Sequence, residues 1–167
     1  MENWTFASIP YQRPDVEQAK RSYQAWTEQV KNAKDYAEVR GILLEIDRAT
    51  MPFDEQCTVA YIRNTLNTAD EFYEKELEYL NDALPELEQY SVACYSPFRK
   101  ELEQEFGRQL FAQIELQKKS FCEKNIPLAQ RENKLVMEYQ KLMASCSIEF
   151  DGETCNLYGI QKHFEDD

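Results

Sequence analysis

The single histidine of this sequence limits the metal chemistry that the chain can perform. A His-Glu-x-x-His zinc site needs two histidines one helical turn apart, whereas the 167 residues contain only His163. His163 and Glu165 match half of a deaminase motif, but the Cys-x-x-Cys pair which that motif also needs is absent. The sequence therefore predicts no metal ligand, and we expect His163 to be solvent-exposed.

The cysteines are odd in number and widely spaced. No Cys-x-x-Cys pair is present, and the opening MENWTF lacks the basic and apolar regions of a signal peptide. These features favour free thiols in a reducing compartment, so we expect a cytoplasmic protein. We expect most of the five to be buried as small hydrophobic residues: Cys57, Cys94, Cys122, Cys146 and Cys155.

Acidic and aromatic clusters are the next candidates for chemistry. A di-iron bundle would need Glu-x-x-His pairs, and none exists beside Glu71, Glu74, Glu76 and Glu78. We therefore interpret these carboxylates as a solvated helix face. A run of tyrosines is suited either to a peptide groove or to the core, and burial statistics favour the core: Tyr61, Tyr73, Tyr79, Tyr90 and Tyr95.

Nucleophilic and phosphate-binding motifs are also missing from the sequence. A Ser-His-Asp or Cys-His arrangement would depend on His163 as its only base, and no Gly-x-Ser-x-Gly elbow is present. The four glycines are isolated from one another, which excludes a glycine-rich phosphate loop. We predict no catalytic, cofactor-binding or metal-binding residue in this chain.

The charge balance restricts the partners of the protein. Nineteen basic and 31 acidic residues give a formal net charge of −12. Nucleic acids and anionic membrane surfaces both attract basic proteins, so neither is an expected partner. No apolar run approaches the ~20 residues that a membrane span needs. We interpret the acidic excess as a solvated surface.

Apolar residues recur at helical spacing through most of the chain, with few glycines to interrupt them. We expect one helix from Pro14 to Lys31, whose apolar stripe is Val16, Ala19, Tyr23, Trp26 and Val30. A second helix should begin near Asp35, and Pro52 should end or kink it before it resumes near Asp54. Thr68 to Glu71 reads as a capping box for a third helix that continues beyond Pro85.

Two more helices and a hairpin follow in the pattern. A helix capped by Ser96 should carry Phe98, Leu102, Phe106, Leu110 and Ile114, and another after Pro127 should carry Leu128, Leu135, Tyr139 and Leu142. Asp151-Gly152 predicts a tight hairpin that pairs Ile148 with Cys155, Phe150 with Glu153 and Cys146 with Leu157. A last helix should open near Tyr158. The predicted fold is mainly α, a single antiparallel helical bundle-like domain over residues 1–167 with one β-hairpin near its C-terminus.

Three segments spread over the chain resemble the N-terminal part of bacterial oligoendopeptidase F-type enzymes, relatives of thimet oligopeptidase. They are Tyr11–Asp15 (YQRPD), Ala60–Glu76 (AYIRNTLNTADEFYEKE) and Glu132–Glu153 (ENKLVMEYQKLMASCSIEFDGE). Each is moderately specific alone, and their order matches the family. The resemblance implies a cytosolic zinc metallopeptidase for short peptides, whose metal is held by a His-Glu-x-x-His helix and a downstream glutamate. All of those residues would lie in a C-terminal catalytic region outside this chain.

The resemblance implies that this region walls the substrate channel and packs on the catalytic region of the same polypeptide. An expressed fragment or a truncated reading frame would then be inactive alone. It should expose apolar surface at the hairpin face, Ile148, Phe150 and Leu157, and at the last partial helix, with self-association as one way to cover it. The alternative is a stand-alone helical module that binds a partner protein and has no enzymatic activity.

Overall fold

The computed structural model describes residues 5–95, 97 and 103–164. Within these residues, six α-helices and one hairpin follow each other: α1 (Val16–Asn32), α2 (Tyr36–Leu66), α3 (Glu71–Tyr95), α4 (Glu103–Phe106), α5 (Arg108–Ser120), α6 (Ile126–Ser145), β1 (Ile148–Phe150) and β2 (Glu153–Cys155). Short 3-10 turns occur at Phe6–Ser8, Glu123–Asn125 and Gly159–Phe164. The predicted fold class, mainly α with a hairpin near the C-terminus, is confirmed.

The first three helices form the packed centre of the molecule, and α3 contacts α1, α2, α5 and α6. Asp15 and Asp35 cap α1 and α2, because each side chain accepts a hydrogen bond from the backbone N–H three residues ahead. The predicted α1 stripe is confirmed, with Val16, Trp26 and Val30 buried. One apolar cluster joins Trp26, Ile46 and Cys94 across the three helices. A second joins the ends of α1 and α2 to α5.

Two helix boundaries differ from the prediction, which had Pro52 end or kink the second helix and Thr68 cap the third. Helix α2 runs unbroken through Pro52. Buried residues lie on both sides of it, Ile46 before and Val59 and Ala60 after, so tertiary contacts hold both halves in one helix. The cap of α3 is Asp70 rather than Thr68, since Asp70 Oδ1 accepts from Phe72 N at 2.9 Å and Tyr73 N at 3.3 Å. The prediction that α3 continues through Pro85 is confirmed.

The predicted helix over Phe98 to Ile114 is interrupted. Gly107 has φ +85° and ψ 151°, a backbone conformation essentially restricted to glycine, and it separates the short α4 from α5. Phe106 and Leu110 still pack beside the buried Ile114. The predicted start of this helix, at Ser96, Phe98 and Leu102, lies outside the described residues.

The hairpin has the register predicted from its turn. Ile148 pairs with Cys155 and Phe150 with Glu153. Asp151 and Gly152 have φ of +48° and +78°, the two left-handed positions that such a turn needs. The predicted pair of Cys146 with Leu157 lies outside the two strands. The residues after Tyr158 form a 3-10 turn rather than an α-helix as far as Phe164, where the described residues end.

Candidate functional site

Three places in the described residues gather side chains of functional interest: an N-terminal strap bound to α3, the two faces of α6, and the end of the hairpin. The strap is residues 5–15, which precede α1. Its central contact is the carboxylate of Glu76, which is 3 % exposed. Tyr11 donates its hydroxyl hydrogen bond to Glu76 Oε2 at 2.7 Å, and Arg13 Nε donates to the same oxygen at 2.9 Å while its terminal nitrogen completes an ion pair.

The electrostatics of this contact follow from burial and charge. Hydrogen bonding from Arg13 holds the pKa of Glu76 below its ordinary value, and burial, followed by the neighbouring carboxylate, raises the pKa of Tyr11. Arg13 also lies over the Tyr79 ring, 4.8 Å from its centroid. The lone pairs of Glu76 are therefore occupied, and this carboxylate anchors the strap rather than acting as a free acid or base.

Further polar contacts fasten the strap along its length. Gln56 Oε1 accepts from Gln12 N at 2.7 Å, and Arg63 donates to the carbonyl oxygen of Ile9 at 2.5 Å and to the Tyr73 hydroxyl. The prediction of a solvated acidic face is wrong at Glu76. The sequence held a signal for this, since Glu76 precedes the buried Leu80 by four residues and so lies on the same face of α3.

Helix α6 turns its polar side toward the rest of the domain. Lys141 Nζ lies 2.6 Å from Glu74 Oε1, Gln130 donates to the carbonyl oxygen of Asp82 at 2.6 Å, and Asn133 donates to that of Asn81 at 3.4 Å. A polar cleft of about 240 Å³ remains between α3 and α6. The inner face of α6 is thus hydrogen-bonded and charged.

The large apolar residues on the opposite side of α6 consequently face outward, whereas Met137 is half-buried on the inner side and its Sδ accepts a hydrogen bond from the Asn81 amide at 2.8 Å. None of its twenty residues, all of them described, is buried. We call its five exposed apolar residues the α6 stripe; they are Leu128, Leu135, Val136, Tyr139 and Leu142, and they range from 47 % to 68 % exposed. The sequence predicted four of them as a stripe but placed the exposed patch at the hairpin face and the last partial helix. In the last segment Tyr158 and Phe164 are 73 % and 74 % exposed, as expected. On the hairpin Phe150 is 48 % exposed, whereas Ile148 and Leu157 are half-buried.

The end of the hairpin brings together three potential ligand groups. The donor atoms of Glu153, Cys155 and His163 all lie within 4.8 Å of one another. His163 is half-buried and its ring lies 5.0 Å from that of Phe150, so the prediction of a solvent-exposed histidine is wrong. The 3-10 turn after β2 folds back onto the hairpin, and this return could not be inferred from the local sequence.

The other predicted residues show mixed outcomes. All five cysteines are free; Cys94 and Cys155 are buried, Cys57 and Cys146 are half-buried, and Cys122 is exposed. The expectation that most of them are buried is therefore only partly met. Burial raises the pKa of Cys57 to about 11 and also raises that of Cys94, so neither thiol is activated.

In the run of tyrosines, Tyr61 is 51 % exposed, and the other four tyrosines are half-buried.

Comparison with known proteins places this architecture in a family. The family model described as the peptidase M3 N-terminal domain matches residues 6–121. The chain belongs to this family. Its matched region contains the strap and α1 to α5, including the contact of Tyr11 and Arg13 with Glu76. No curated protein matches the sequence, and no helix among the described residues is long and apolar enough to cross a membrane.

Three solved structures share the fold of this M3 N-terminal domain. One is a protein assigned as oligoendopeptidase F, 34% identical with a TM-score of 0.88, covering 97% of this chain and 30% of that chain. A PZ peptidase A solved with an inhibitor is 34% identical with a TM-score of 0.86, covering 95% and 29%. A Bacillus anthracis protein assigned as oligoendopeptidase F is 33% identical with a TM-score of 0.82, covering 92% and 29%. The chain thus spans less than a third of the length of these peptidases.

Proposed function

We propose that this domain is the non-catalytic N-terminal region of an oligoendopeptidase F-like zinc metallopeptidase that hydrolyses short peptides in the cytoplasm. Residues 1–167 would form one domain that walls the substrate channel, while the catalytic region lies elsewhere in the same polypeptide. The main observation that supports this proposal is the orientation of α6, whose polar side contacts α3 and whose apolar stripe faces outward. Such an orientation is unfavourable for a helix with only water outside it.

The catalytic zinc implied by the family does not fit on this chain. Two histidines one helical turn apart must supply that site, and the sequence has only His163. We therefore assign no hydrolytic step to residues of this domain. The cytoplasmic location is supported by five cysteines without a disulfide, which suits a reducing compartment.

We propose that the catalytic region is the partner that packs against the α6 stripe and covers it. About 70% of the length of the matched peptidases lies outside the part that this chain covers, so a large partner surface is available in them. The stripe lies on one side of a helix, which suits packing against other helices by interdigitated side chains. The hydrogen bonds between α6 and α3 would then fix the position of the stripe for that contact.

A chimera tests this assignment. This domain replaces the matching region of the oligoendopeptidase F relative, and hydrolysis of a quenched fluorescent peptide is measured with zinc present. We expect the chimera to be active and the double variant Leu135→Asp/Leu142→Asp to lose most activity, because charges on the stripe oppose apolar docking. Leu116→Asp on α5 is the matched control, since Leu116 is 67 % exposed and lies outside the stripe.

The isolated chain supplies the complementary result. We expect no hydrolysis of the same peptide with zinc, and light scattering should show self-association that the double variant abolishes. A stable monomer together with an active double-variant chimera would instead support the alternative, a stand-alone interaction module without enzymatic activity. Chelator-sensitive hydrolysis by the isolated chain would overturn the non-catalytic assignment.

A further inference from the structure

The end of the hairpin brings three potential metal ligands together, and their role would be separate from the proposed function. Glu153 and Cys155 lie two residues apart on β2, so their side chains project from the same face of the strand. Four backbone positions later, the 3-10 turn Gly159–Phe164 begins and presents His163 to that face. The reversal is held by Asn156, whose Oδ1 accepts hydrogen bonds from Gly159 N at 2.7 Å and Tyr158 N at 3.1 Å.

The donor set and its spacing suit a thiophilic cation. A carboxylate oxygen, a thiolate and an imidazole nitrogen all bind zinc. With a Zn–S bond of ~2.3 Å and a Zn–N bond of ~2.0 Å, tetrahedral geometry places the two ligand atoms about 3.6 Å apart. The three donors lie within 4.8 Å of one another, so closing around a metal requires movements of about 1 Å, which side-chain rotation supplies.

The imidazole of His163 lacks a partner for one of its nitrogens. Its Nε2 is buried and forms no hydrogen bond within the part of the chain that the structure describes. A buried polar atom left without a partner destabilises the fold, and coordination to a cation would remove that cost. The Phe150 ring beside the imidazole limits its rotation, so the histidine is already oriented.

One neighbouring charge competes for the same carboxylate. Lys162 Nζ lies 2.5 Å from Glu153 Oε2, and both side chains are more than half exposed. An exposed ion pair contributes little stability, so a metal ion can displace the lysine. The exposed side of Glu153 also gives the metal a route from solvent. Cys155 is only 8 % exposed, so its own thiolate is shielded from solvent.

We propose that Glu153, Cys155 and His163 form a zinc-binding site that clamps the hairpin to the turn after it, with water as the fourth ligand. The thiolate disfavours magnesium and calcium, which prefer oxygen ligands. A two-stranded hairpin is marginally stable alone, so a metal that joins it to the following turn would stabilise the end of this domain. Binding releases the thiol proton of Cys155 to solvent, and we therefore expect affinity to rise with pH.

Zinc titration of the untagged protein against a chromophoric chelator tests the site. We expect one ion per chain, and cobalt in place of zinc should give a thiolate-to-cobalt charge-transfer band. Cys155→Ser and His163→Gln should each weaken binding at least tenfold, and Cys155→Ser should also abolish that band, because it removes the thiolate. Lys162→Gln should strengthen binding, because the competing cation is gone. Cys122→Ser is the matched control, since its exposed thiol lies outside the cluster and its removal should change nothing.

Circular dichroism of each variant keeps the outcome interpretable, because a folded variant that loses metal has lost ligands rather than structure. Amide hydrogen exchange in β1 and β2 should slow when zinc is added to the wild type and stay unchanged in Cys155→Ser. Failure of the wild type to bind zinc stoichiometrically, or equal binding by folded Cys155→Ser and His163→Gln, would overturn the site. Neither result bears on the α6 stripe, so the proposed function is tested separately.

Discussion

Helices α1 and α6 carry similar apolar patterns and have opposite surroundings. In α1 the stripe of Val16, Trp26 and Val30 is buried between α2 and α3. In α6 a stripe of the same periodicity lies outward, and none of the helix is buried. The apolar periodicity of a helix therefore predicts which of its sides needs a partner, but not whether the same chain supplies that partner.

The difference lies in what each helix offers its neighbours. Helix α1 combines polar contacts with buried apolar ones: Trp26 Nε1 donates to Glu45 at 3.0 Å, Lys20 pairs with Glu86 at 3.0 Å, and Trp26 and Val30 belong to the two buried apolar clusters. Helix α6 contacts α3 through amides and a lysine–glutamate pair. A polar interface stabilises little by itself, so α6 should be held more weakly than α1 to α3 until its stripe is covered.

The largest expected effect lies in the three-helix centre. Leu80 on α3 is 1 % exposed, and Leu80→Ala should lower the free energy of unfolding by about 2–5 kcal/mol, through lost burial and the cavity left behind. Urea unfolding followed by circular dichroism measures it. A loss below about 1 kcal/mol would mean that the centre of the domain is not packed as described.

The strap gives the next effect. Arg13→Ala should lower the free energy of unfolding markedly, because Glu76 stays buried with only the Tyr11 hydroxyl and no cation. Glu76→Gln should cost less, since the half-exposed Arg13 can return to water. Unfolding of both variants at pH 7 gives the comparison, and equal losses would contradict the asymmetry in burial.

Acid should weaken the same contact. The folded pKa of Glu76 lies below its unfolded value of ~4.3, so the pair stabilises fully above that value and this contribution is lost as pH falls through the folded pKa. Unfolding of the wild type and Glu76→Gln between pH 7 and pH 3 isolates it. We expect the stability difference between them to shrink on acidification, whereas a constant difference would remove Glu76 from the acid response.

The smallest effect is predicted on the α6 stripe. Leu142 is 68 % exposed, so Leu142→Ala should change the free energy of unfolding of this chain by less than about 0.5 kcal/mol. It is the same substitution as Leu80→Ala, which makes the two a matched pair. A cost comparable to that of Leu80→Ala would show that the stripe is covered within the chain and would remove the contrast between α1 and α6.

Local signals predicted the elements well wherever one interaction dominated. The hairpin register followed from Asp151-Gly152, because this residue pair favours a two-residue turn with both residues in the left-handed region, which matches the twist of paired strands. The cap at Asp35 marks the start of α2 as expected, whereas α1 begins at Val16 after an Asp15 cap rather than at Pro14. At Pro52 and Gly107 the local signal was misjudged: burial on both sides carries the helix through the proline, and the positive φ of the glycine ends α4.

The sequence by itself determined the helical class, the apolar side of each helix, the hairpin and the absence of a histidine pair, because these depend on spacing within a few turns. Only the tertiary structure decided which apolar sides are covered, that Arg13 and Tyr11 reach Glu76 across more than 60 residues, and that His163 meets Cys155. Those contacts depend on how whole elements pack, and the energy of packing is shared among many side chains rather than encoded at any one position.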